Sequence, residues 1–283
     1  MIRYFDAHNH LQDDWLETVR EPVIASLEAI GVARVVVNGT TEADWEFVAE
    51  LARRYPWIMP SYGLHPWFLA GRTPDWKEKL IARLDLEPCG VGEIGLDRWM
   101  EGLDFEDQKS VFIEQLSLAA ERNLPVSIHC LKAWGPLLDI LRSRQLPARG
   151  FLLHSYGGSR EMVPDFAKLG AYFSFSGYFL SEKNIAKREI FRDVPADRLL
   201  AETDAPAMHL PPGLVRFPLP DSPEGKPVNH PSNIISVYEG LAEIRGIPLP
   251  TLAALVEANF TRLFCGDERG SEKLLTAPLT LKT

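Results

Sequence analysis

Residues 2–10 have the sequence Ile-Arg-Tyr-Phe-Asp-Ala-His-Asn-His, in which a largely apolar run at 2–5 is followed by two histidines two positions apart. In an extended backbone His8 and His10 project from the same face, because side chains alternate along a strand. Both imidazoles could therefore reach one metal ion, although two ordinary surface histidines would give the same pattern. The rest of the chain decides between these interpretations.

Five further metal-ligand candidates stand at the carboxyl end of other short apolar runs. If those runs are parallel strands of one barrel, their carboxyl ends meet at one mouth, where imidazoles and carboxylates would converge. The alternative is a polar cluster that merely satisfies the barrel mouth. The repeated placement favours a metal site. The five residues are His65, Glu93, His129, His154 and Asp204.

Strand-like runs alternate with amphipathic segments along the whole chain, which predicts βαβ units and a parallel sheet. The length of 283 residues suits a single TIM-type (β/α)8 barrel, which typically takes about 250. We therefore predict the α/β class with a binuclear metal centre at the C-terminal mouth. The predicted strands are 2–5, 33–37, 58–62, 90–93, 126–129, 150–154, 171–175 and 199–202, and the predicted helices are 19–30, 45–54, 76–84, 105–122, 134–141, 160–169, 184–192 and 234–245.

One domain is predicted over 1–266, followed by a C-terminal tail at 267–283. Within the domain, the Pro-rich segment 206–231 is too long and too rich in proline for a plain connection. We interpret it as an ordered or mobile flap over the barrel, with disorder as the alternative. A closing helix is predicted at 252–264.

The composition of the chain limits which partners and which cellular compartment are expected. The formal net charge of -9 argues against a broad basic face for duplex DNA, so a nucleic-acid substrate would be held locally. Cys89, Cys130 and Cys265 lack Cys-x-x-Cys spacing, which predicts reduced thiols in a cytoplasmic protein. The N-terminal residues lack a basic and an apolar signal region, and no run of about 18 apolar residues follows, so no membrane association is expected. Protein partners stay open.

Glu93 is the natural bridge between two ions. It lies in Gly-Val-Gly-Glu-Ile-Gly-Leu-Asp at 90–97, where small residues allow close backbone approach, and in sequence it separates the two groups of histidines. Imidazole and carboxylate ligands suit Zn, Mn or Fe better than Ca. Two ions about 3.5 to 4 Å apart would share a hydroxide and clamp the attacking and leaving oxygens.

Several motifs recur in one order over nearly the whole chain, and with them the chain resembles the TatD family of metal-dependent hydrolases in the amidohydrolase superfamily. The resemblance implies a (β/α)8 barrel that cleaves phosphodiester bonds at or near DNA ends with two divalent ions, Zn, Mn or Mg. The motifs are Asp-x-His-x-His at 6–10, Gly-Leu-His-Pro at 63–66, Gly-Glu-Ile-Gly-Leu-Asp at 92–97, Leu-Pro-Val-Ser-Ile-His at 124–129, the strand ending at His154, Glu-Thr-Asp-Ala-Pro at 202–206, Asn-x-Pro-x-Asn at 229–233 and Asn-x-Thr-Arg-Leu-Phe at 259–264.

The same resemblance implies a role for each site residue. His8, His10 and Asp204 would hold one ion, and His129 and His154 would hold the second. Glu93 would bridge them, while Asp204 would also be the base that takes a proton from water. His65 would contact the scissile phosphate, and Glu202 would support the ligands without binding metal.

Two arginines that are common in the family are replaced here by Leu131 and Val228. Arg98, Lys132 and Lys226 could supply a phosphate contact instead, although a lysine cannot reproduce the arginine fork, and a surface role is equally compatible for Arg98.

Aromatic and histidine side chains near the motifs also need an interpretation. Trp67, Phe68 and Trp99 could stack a base or pack between helices. His209 and His230 are expected to be ordinary exposed histidines.

Taken together, these features predict a metal-dependent deoxyribonuclease acting on ester bonds. The first alternative is a small-molecule amidohydrolase or esterase on the same metal centre, which the missing arginines and the acidic balance would suit. The second is a subunit of a larger complex whose main role is partner contact.

Overall fold

Each strand pairs in parallel with the next along the chain, so that eight strands form one sheet in sequence order. The computed structural model describes residues 2–266, and in it the sheet curls into a nearly closed barrel with helices between the strands. The predicted α/β barrel is confirmed. The strands are β1 (Tyr4–Asn9), β2 (Val32–Asn38), β3 (Ile58–Tyr62), β4 (Gly90–Asp97), β5 (Val126–Leu131), β6 (Phe151–Leu153), β7 (Ala171–Ser176) and β8 (Leu199–Glu202).

The first and last strands are joined just beyond their carboxyl ends. The Asp204 N–H donates to the His8 carbonyl at 3.0 Å, and the His10 N–H donates to the Ala205 carbonyl at 2.8 Å.

The helices are α1 (Arg20–Ala29), α2 (Trp45–Arg54), α3 (Trp76–Leu84), α4 (Phe105–Arg122), α5 (Trp134–Ser143), α6 (Val163–Lys168), α7 (Ile185–Ile190), α8 (Ile234–Arg245) and α9 (Leu249–Phe260).

Helix α4 fixes the end of β4. Asp104 caps its first turn by accepting hydrogen bonds from the N–H groups of Glu106 and Asp107. Further along, the buried Gln108 side chain accepts from the Asp97 N–H at 2.7 Å and donates to the Asp97 carbonyl at 3.0 Å. The helix therefore packs on the sheet, as its apolar stripe predicted, and also holds the backbone at the barrel mouth.

Three strands extend at least two residues beyond their predicted ends. β1, β4 and β5 continue through polar residues, so His8 lies inside β1, and Glu93 and His129, each the last residue of its predicted strand, lie before the observed strand end. Apolar content marked the strand ends too early, because the barrel mouth provides polar partners for these side chains. The helix predicted at 252–264 is also displaced: it ends at Phe260, and a π-helical turn at Thr261–Cys265 follows.

The Pro-rich segment has defined partners. The Asn233 side-chain oxygen accepts from the N–H groups of Arg216 and Phe217, each at 2.9 Å. Further along the segment, Leu219 and Val228 line a cavity of about 220 Å³ together with Trp15, which follows β1. These contacts are those of an ordered segment, and its role as a flap stays a prediction. The tail predicted at 267–283 lies outside the described residues.

Candidate metal centre

Glu93 stands where β4 and β5 approach closely. Gly95 has a φ of 157°, and a Cβ at that position would overlap the backbone carbonyl of His129. A Cβ on Gly92 would lie 2.8 Å from the Cβ of Ser127. These two glycines therefore let the Glu93 carboxylate and the His129 ring meet side by side.

The two oxygens of Glu93 contact two different sets of imidazoles. Oε2 lies 3.3 Å from His8 Nε2 and 3.2 Å from His10 Nε2. Oε1 lies 3.1 Å from His129 Nδ1 and 2.9 Å from His154 Nε2. A single buried carboxylate thus joins two clusters of ring nitrogens.

Asp204 completes the first cluster. Its Oδ1 lies 3.7 Å from His8 Nε2 and 3.4 Å from His10 Nε2. The residue follows β8 with a φ of 49°, and its backbone N–H is bound to the carbonyl of His8. The loop after β8 therefore delivers this carboxylate to the end of β1.

Hydrogen bonds on the far side of three rings set which nitrogen is available. His10 Nδ1 donates to the Asn38 carbonyl at 2.8 Å, and His129 Nε2 donates to Asp97 Oδ2 at 2.8 Å. The His8 Nδ1 lies 2.7 Å from the Ser127 hydroxyl. In His10 and His129 the opposite nitrogen then faces Glu93 and would offer its lone pair to a bound ion, which is the arrangement of a metal-binding histidine.

His65 has the opposite arrangement. Its Nδ1 accepts the Trp67 backbone N–H at 3.2 Å, while its Nε2 lies 3.4 Å from Glu93 Oε1. Burial lowers the pKa of His65 to about 4, so the ring is neutral near pH 7. A neutral ring that accepts at Nδ1 carries its proton at Nε2 and can donate it to an oxygen.

Both carboxylates at the centre are ionised. Burial opposes the charge on Glu93, but the imidazoles of His65, His154 and His8 outweigh it and hold its pKa well below the usual range. Burial also opposes the charge on Asp204, and the hydrogen bond from His10 outweighs it and lowers the Asp204 pKa. The cluster therefore combines two ionised carboxylates with five imidazoles, which are the ligand types that divalent metal ions such as Zn bind.

Glu202 lies behind His154. Its Oε1 is 3.5 Å from His154 Nδ1, and its carboxylate accepts hydrogen bonds from the hydroxyls of Ser155 and Ser174. The geometry fits the supporting position predicted for this residue.

Two buried carboxylates of the site were missed in the sequence. Asp97 holds His129, and it could have been found because it shares the strand face of Glu93 at four residues' distance. Asp6 accepts from the Thr203 N–H at 3.0 Å and from its hydroxyl, and so clamps β1 to the loop that carries Asp204. No spacing in the sequence signals a pairing between the two ends of the chain.

The basic side chains predicted to contact substrate lie outside the buried cluster and are exposed to solvent. Arg98 is exposed, and its guanidinium stacks on the Phe105 ring at 3.9 Å. Lys132 is exposed at the turn after β5. Leu131 lies exposed beside it, whereas Val228 is buried in the core. The positions of the two absent family arginines are therefore not equivalent, since only the position of Leu131 opens to solvent.

The two histidines of the Pro-rich segment have different environments. His209 is exposed, as expected. The prediction of an exposed His230 is wrong: the ring is buried, packs on Phe217 at 5.4 Å between ring centroids, and accepts the Ser232 N–H at 3.0 Å. His230 caps the 3₁₀ turn that precedes α8. Its proline-rich sequence context predicted exposure and did not indicate this role.

The side chains present fit divalent metal. The structure brings all six predicted ligands and His65 into one cluster, and nitrogens and oxygens about 3 to 4 Å apart can share an ion bound at about 2 Å. Within residues 2–266, three groups of side chains have their candidate ligand atoms within 4.8 Å of one another. They are His8, His10 and Asp204; His8, His154 and Glu202; and His65, Glu93 and His129.

A family profile described as TatD related DNase matches residues 5–265. The chain belongs to this family. The uncharacterized metal-dependent hydrolase YabD of Bacillus subtilis is 32% identical over 263 residues, which cover 92% of this chain and 98% of YabD. The 3'-5' ssDNA/RNA exonuclease TatD of Salmonella typhimurium is 31% identical over 262 residues, with coverages of 92% and 98%.

The fold agrees with a solved TatD relative. The crystal structure of the TatD homologue YjjV from Escherichia coli superposes with a TM-score of 0.83 at 29% identity, covering 93% of this chain and 98% of YjjV. The resemblance stated from the motifs is thus confirmed, and the chain is a metal-dependent hydrolase of the TatD family. No helix among residues 2–266 is long and apolar enough to cross a membrane.

Proposed function

We propose that the protein is a phosphodiesterase that cleaves nucleic acid, DNA in the first instance, at or near a strand end. The observation that carries this proposal is the division of the Glu93 carboxylate between two imidazole clusters, one on each oxygen. That division matches a centre of two divalent ions, Zn, Mn or Mg. When bound, such a pair polarises a phosphoryl oxygen and makes water nucleophilic near neutral pH.

Glu93, His8, His10 and Asp204 would hold one ion, with His129 and His154 on the other side of Glu93. Asp204 has a second task in this proposal. Its Oδ1 lies toward the imidazoles of His8 and His10, so its Oδ2 is the atom that accepts a proton from the attacking water. Because the Asp204 pKa is low, the carboxylate is ready to accept that proton at neutral pH.

His65 would bind the substrate. Its Nε2–H stands beside Glu93 Oε1, at the edge of the second cluster, where a phosphoryl oxygen would lie. A hydrogen bond from a neutral ring positions that oxygen and stabilises the charge that develops on it. The proton at Nε2, fixed by the Trp67 N–H on the other nitrogen, makes His65 a donor rather than a metal ligand.

The substrate class is supported by the relatives named as 3'-5' ssDNA/RNA exonucleases. The charge of the chain limits how such a strand would be held. With a net charge of -9 and Leu131 where the family commonly has arginine, few phosphates are contacted. Binding is then confined to one or two nucleotides. We expect the logarithm of DNA affinity to fall with the logarithm of salt with a slope of about -1 to -2, and Leu131→Arg to strengthen binding.

The test is a hydrolysis screen on metal-stripped protein refilled with Zn, Mn or Mg. The substrates are end-labelled single-stranded and duplex oligonucleotides, a carboxyl ester and an amide, and Asp204→Asn is assayed in parallel. The proposal predicts metal-dependent shortening of single strands that Asp204→Asn loses. Hydrolysis of the ester or amide without cleavage of any phosphodiester would replace it with the amidohydrolase alternative, and no hydrolysis at all would favour a role through partner contacts.

The cellular location belongs to the same proposal. Cys89, Cys130 and Cys265 are all free thiols, and the first two are buried. Free thiols are typical of a reducing compartment, so we place the protein in the cytoplasm. Labelling of the three thiols in freshly lysed cells, before and after reduction, tests this, and a disulfide found before reduction would contradict it.

A further inference from the structure

Large apolar side chains are exposed directly beside the metal centre. Trp99 is 53% exposed and Phe68 is 44% exposed, and Met100 and Leu131 are also exposed. All four stand at or just after the carboxyl ends of β3, β4 and β5, which is the side of the barrel that carries His65, Glu93 and His129. Exposed aromatic rings that adjoin a polar site are typical of a binding surface.

These rings lie within contact of the site histidines. The Phe68 ring centroid is 5.6 Å from that of His65, and the Trp67 centroid is 5.9 Å from that of His129. Trp99 extends the surface outward, with its centroid 6.1 Å from that of Trp67 and an angle of 33° between the planes. We name Trp67, Phe68 and Trp99 the aromatic rim.

One carboxylate ties the aromatic rim to the metal centre. Asp97 Oδ2 accepts from Trp67 Nε1 at 2.8 Å and from His129 Nε2 at 2.8 Å. Asp97 Oδ1 accepts from the backbone N–H groups of Trp99 at 2.6 Å and of Met100 at 2.9 Å. The Trp67 ring and the backbone of Trp99 are therefore held in place relative to His129, which lowers the entropy that this part of the rim loses when a ligand stacks on it.

The nearest arginine is already occupied. The guanidinium of Arg98 stacks on Phe105. Leu131, the last residue of β5, pairs in register with Asp97 and adds an apolar side chain. The rim thus presents ring faces and aliphatic groups beside a centre that would hold divalent cations and, through them, a phosphate. A molecule that joins a phosphate to a planar ring within one residue is a nucleotide.

We propose that the aromatic rim is a stacking subsite for the unpaired base of the nucleotide whose phosphate is cleaved, with Trp99 as its main specificity-determining residue. This inference rests on the proposed phosphodiesterase function. A base stacked within a duplex has both faces covered, so the subsite selects single strands, and it does so without regard to sequence because every base has a ring face.

The test uses two labelled single-stranded oligonucleotides that are identical except that the 3'-terminal nucleotide has its base or carries a stable abasic analogue. Binding is measured by fluorescence anisotropy in the Asp204→Asn background, in which cleavage is slowed, and before any product is detected. The proteins compared carry Trp99, Trp99→Ala or Trp99→Phe. Leu86→Ala, an exposed apolar residue after α3, is the matched control. Metal content and the melting temperature establish that each variant is folded.

We expect loss of the base to raise the Kd about tenfold with Trp99 in place, and less than about twofold in Trp99→Ala. Trp99→Phe keeps part of the difference, and Leu86→Ala keeps all of it. Equal Kd values for the two oligonucleotides on the Trp99 protein would overturn the subsite.

The two proposals fail separately. Cleavage of single strands by the otherwise unaltered, metal-refilled protein, without any dependence on the base, would overturn stacking and leave the phosphodiesterase function. Base-dependent binding without cleavage of any phosphodiester would overturn the phosphodiesterase function and leave the stacking subsite. Neither binding nor cleavage would overturn both.

Discussion

Asp97→Asn should weaken one half of the metal centre and leave the other intact. Asp97 accepts four hydrogen bonds, two on each oxygen, and its ionised form is favoured. Burial opposes that charge, but the hydrogen bonds from His129 and from the Met100 N–H outweigh it and lower the Asp97 pKa to about 2. The carboxylate is therefore charged at any pH at which the enzyme would be assayed.

An asparagine at this position retains one oxygen. If that oxygen keeps the backbone N–H groups of Trp99 and Met100, the amide N–H₂ opposes two other donors, His129 Nε2 and Trp67 Nε1. A hydrogen bond to a charged group contributes about 1.5–3 kcal/mol, and loss of such a support typically weakens metal binding about 10- to 100-fold. We expect that loss for the ion held by His129 and His154.

The assay is dialysis of Asp97→Asn against buffers of graded free zinc, followed by metal analysis. The expected result is one equivalent retained as in the unaltered protein and a second retained 10- to 100-fold more weakly. Asp139→Asn, the same change at an exposed position on α5, is the control and should bind as before. Two equivalents of unchanged affinity in Asp97→Asn would refute the coupling between this carboxylate and the centre.

The other predictions concern the base and the stability. Asp204→Asn should lose roughly 10²-fold or more in turnover while it still holds metal, measured by rate and metal content on one sample; a nearly normal rate would exclude it as the base. Burial lowers the pKa of His230 to about 4 from 6.5. The unfolded chain then binds more protons between these values, so this group's contribution is complete above pH 6.5 and is lost as the pH falls toward 4, by at most about 1.4 kcal/mol per pH unit. His230→Asn can still accept from the Ser232 N–H and should flatten that part of the urea-unfolding profile between about pH 4.5 and 7; an unchanged profile would contradict the assignment.

Much of the metal centre could be predicted because a parallel barrel gathers its strand ends. If the runs before His65 and Asp204 are strands of one parallel barrel, their carboxyl ends must meet. Alternation along one strand likewise places His8 with His10. The order of the strands and the alternation within one strand can both be recognised from the sequence alone.

The partners behind the ligands could not be predicted in the same way. Asn38 lies on β2 and Ser127 on β5, yet both contact imidazoles of the β1 region, and such contacts depend on the curvature of the whole sheet. The burial of His230 depends in turn on how the Pro-rich segment folds back. Tertiary packing decides these positions, and no short spacing encodes them.

The central claim is that Glu93 joins two metal ions, one on each carboxylate oxygen. The most direct measurement is the anomalous scattering of crystals of the zinc-refilled protein, combined with metal analysis of Glu93→Ala and of the control His209→Ala. We expect two peaks about 3.5 to 4 Å apart, one on either side of the carboxylate. We also expect two equivalents of metal in His209→Ala and loss of metal in Glu93→Ala. A single peak, or two equivalents retained by Glu93→Ala, would contradict it.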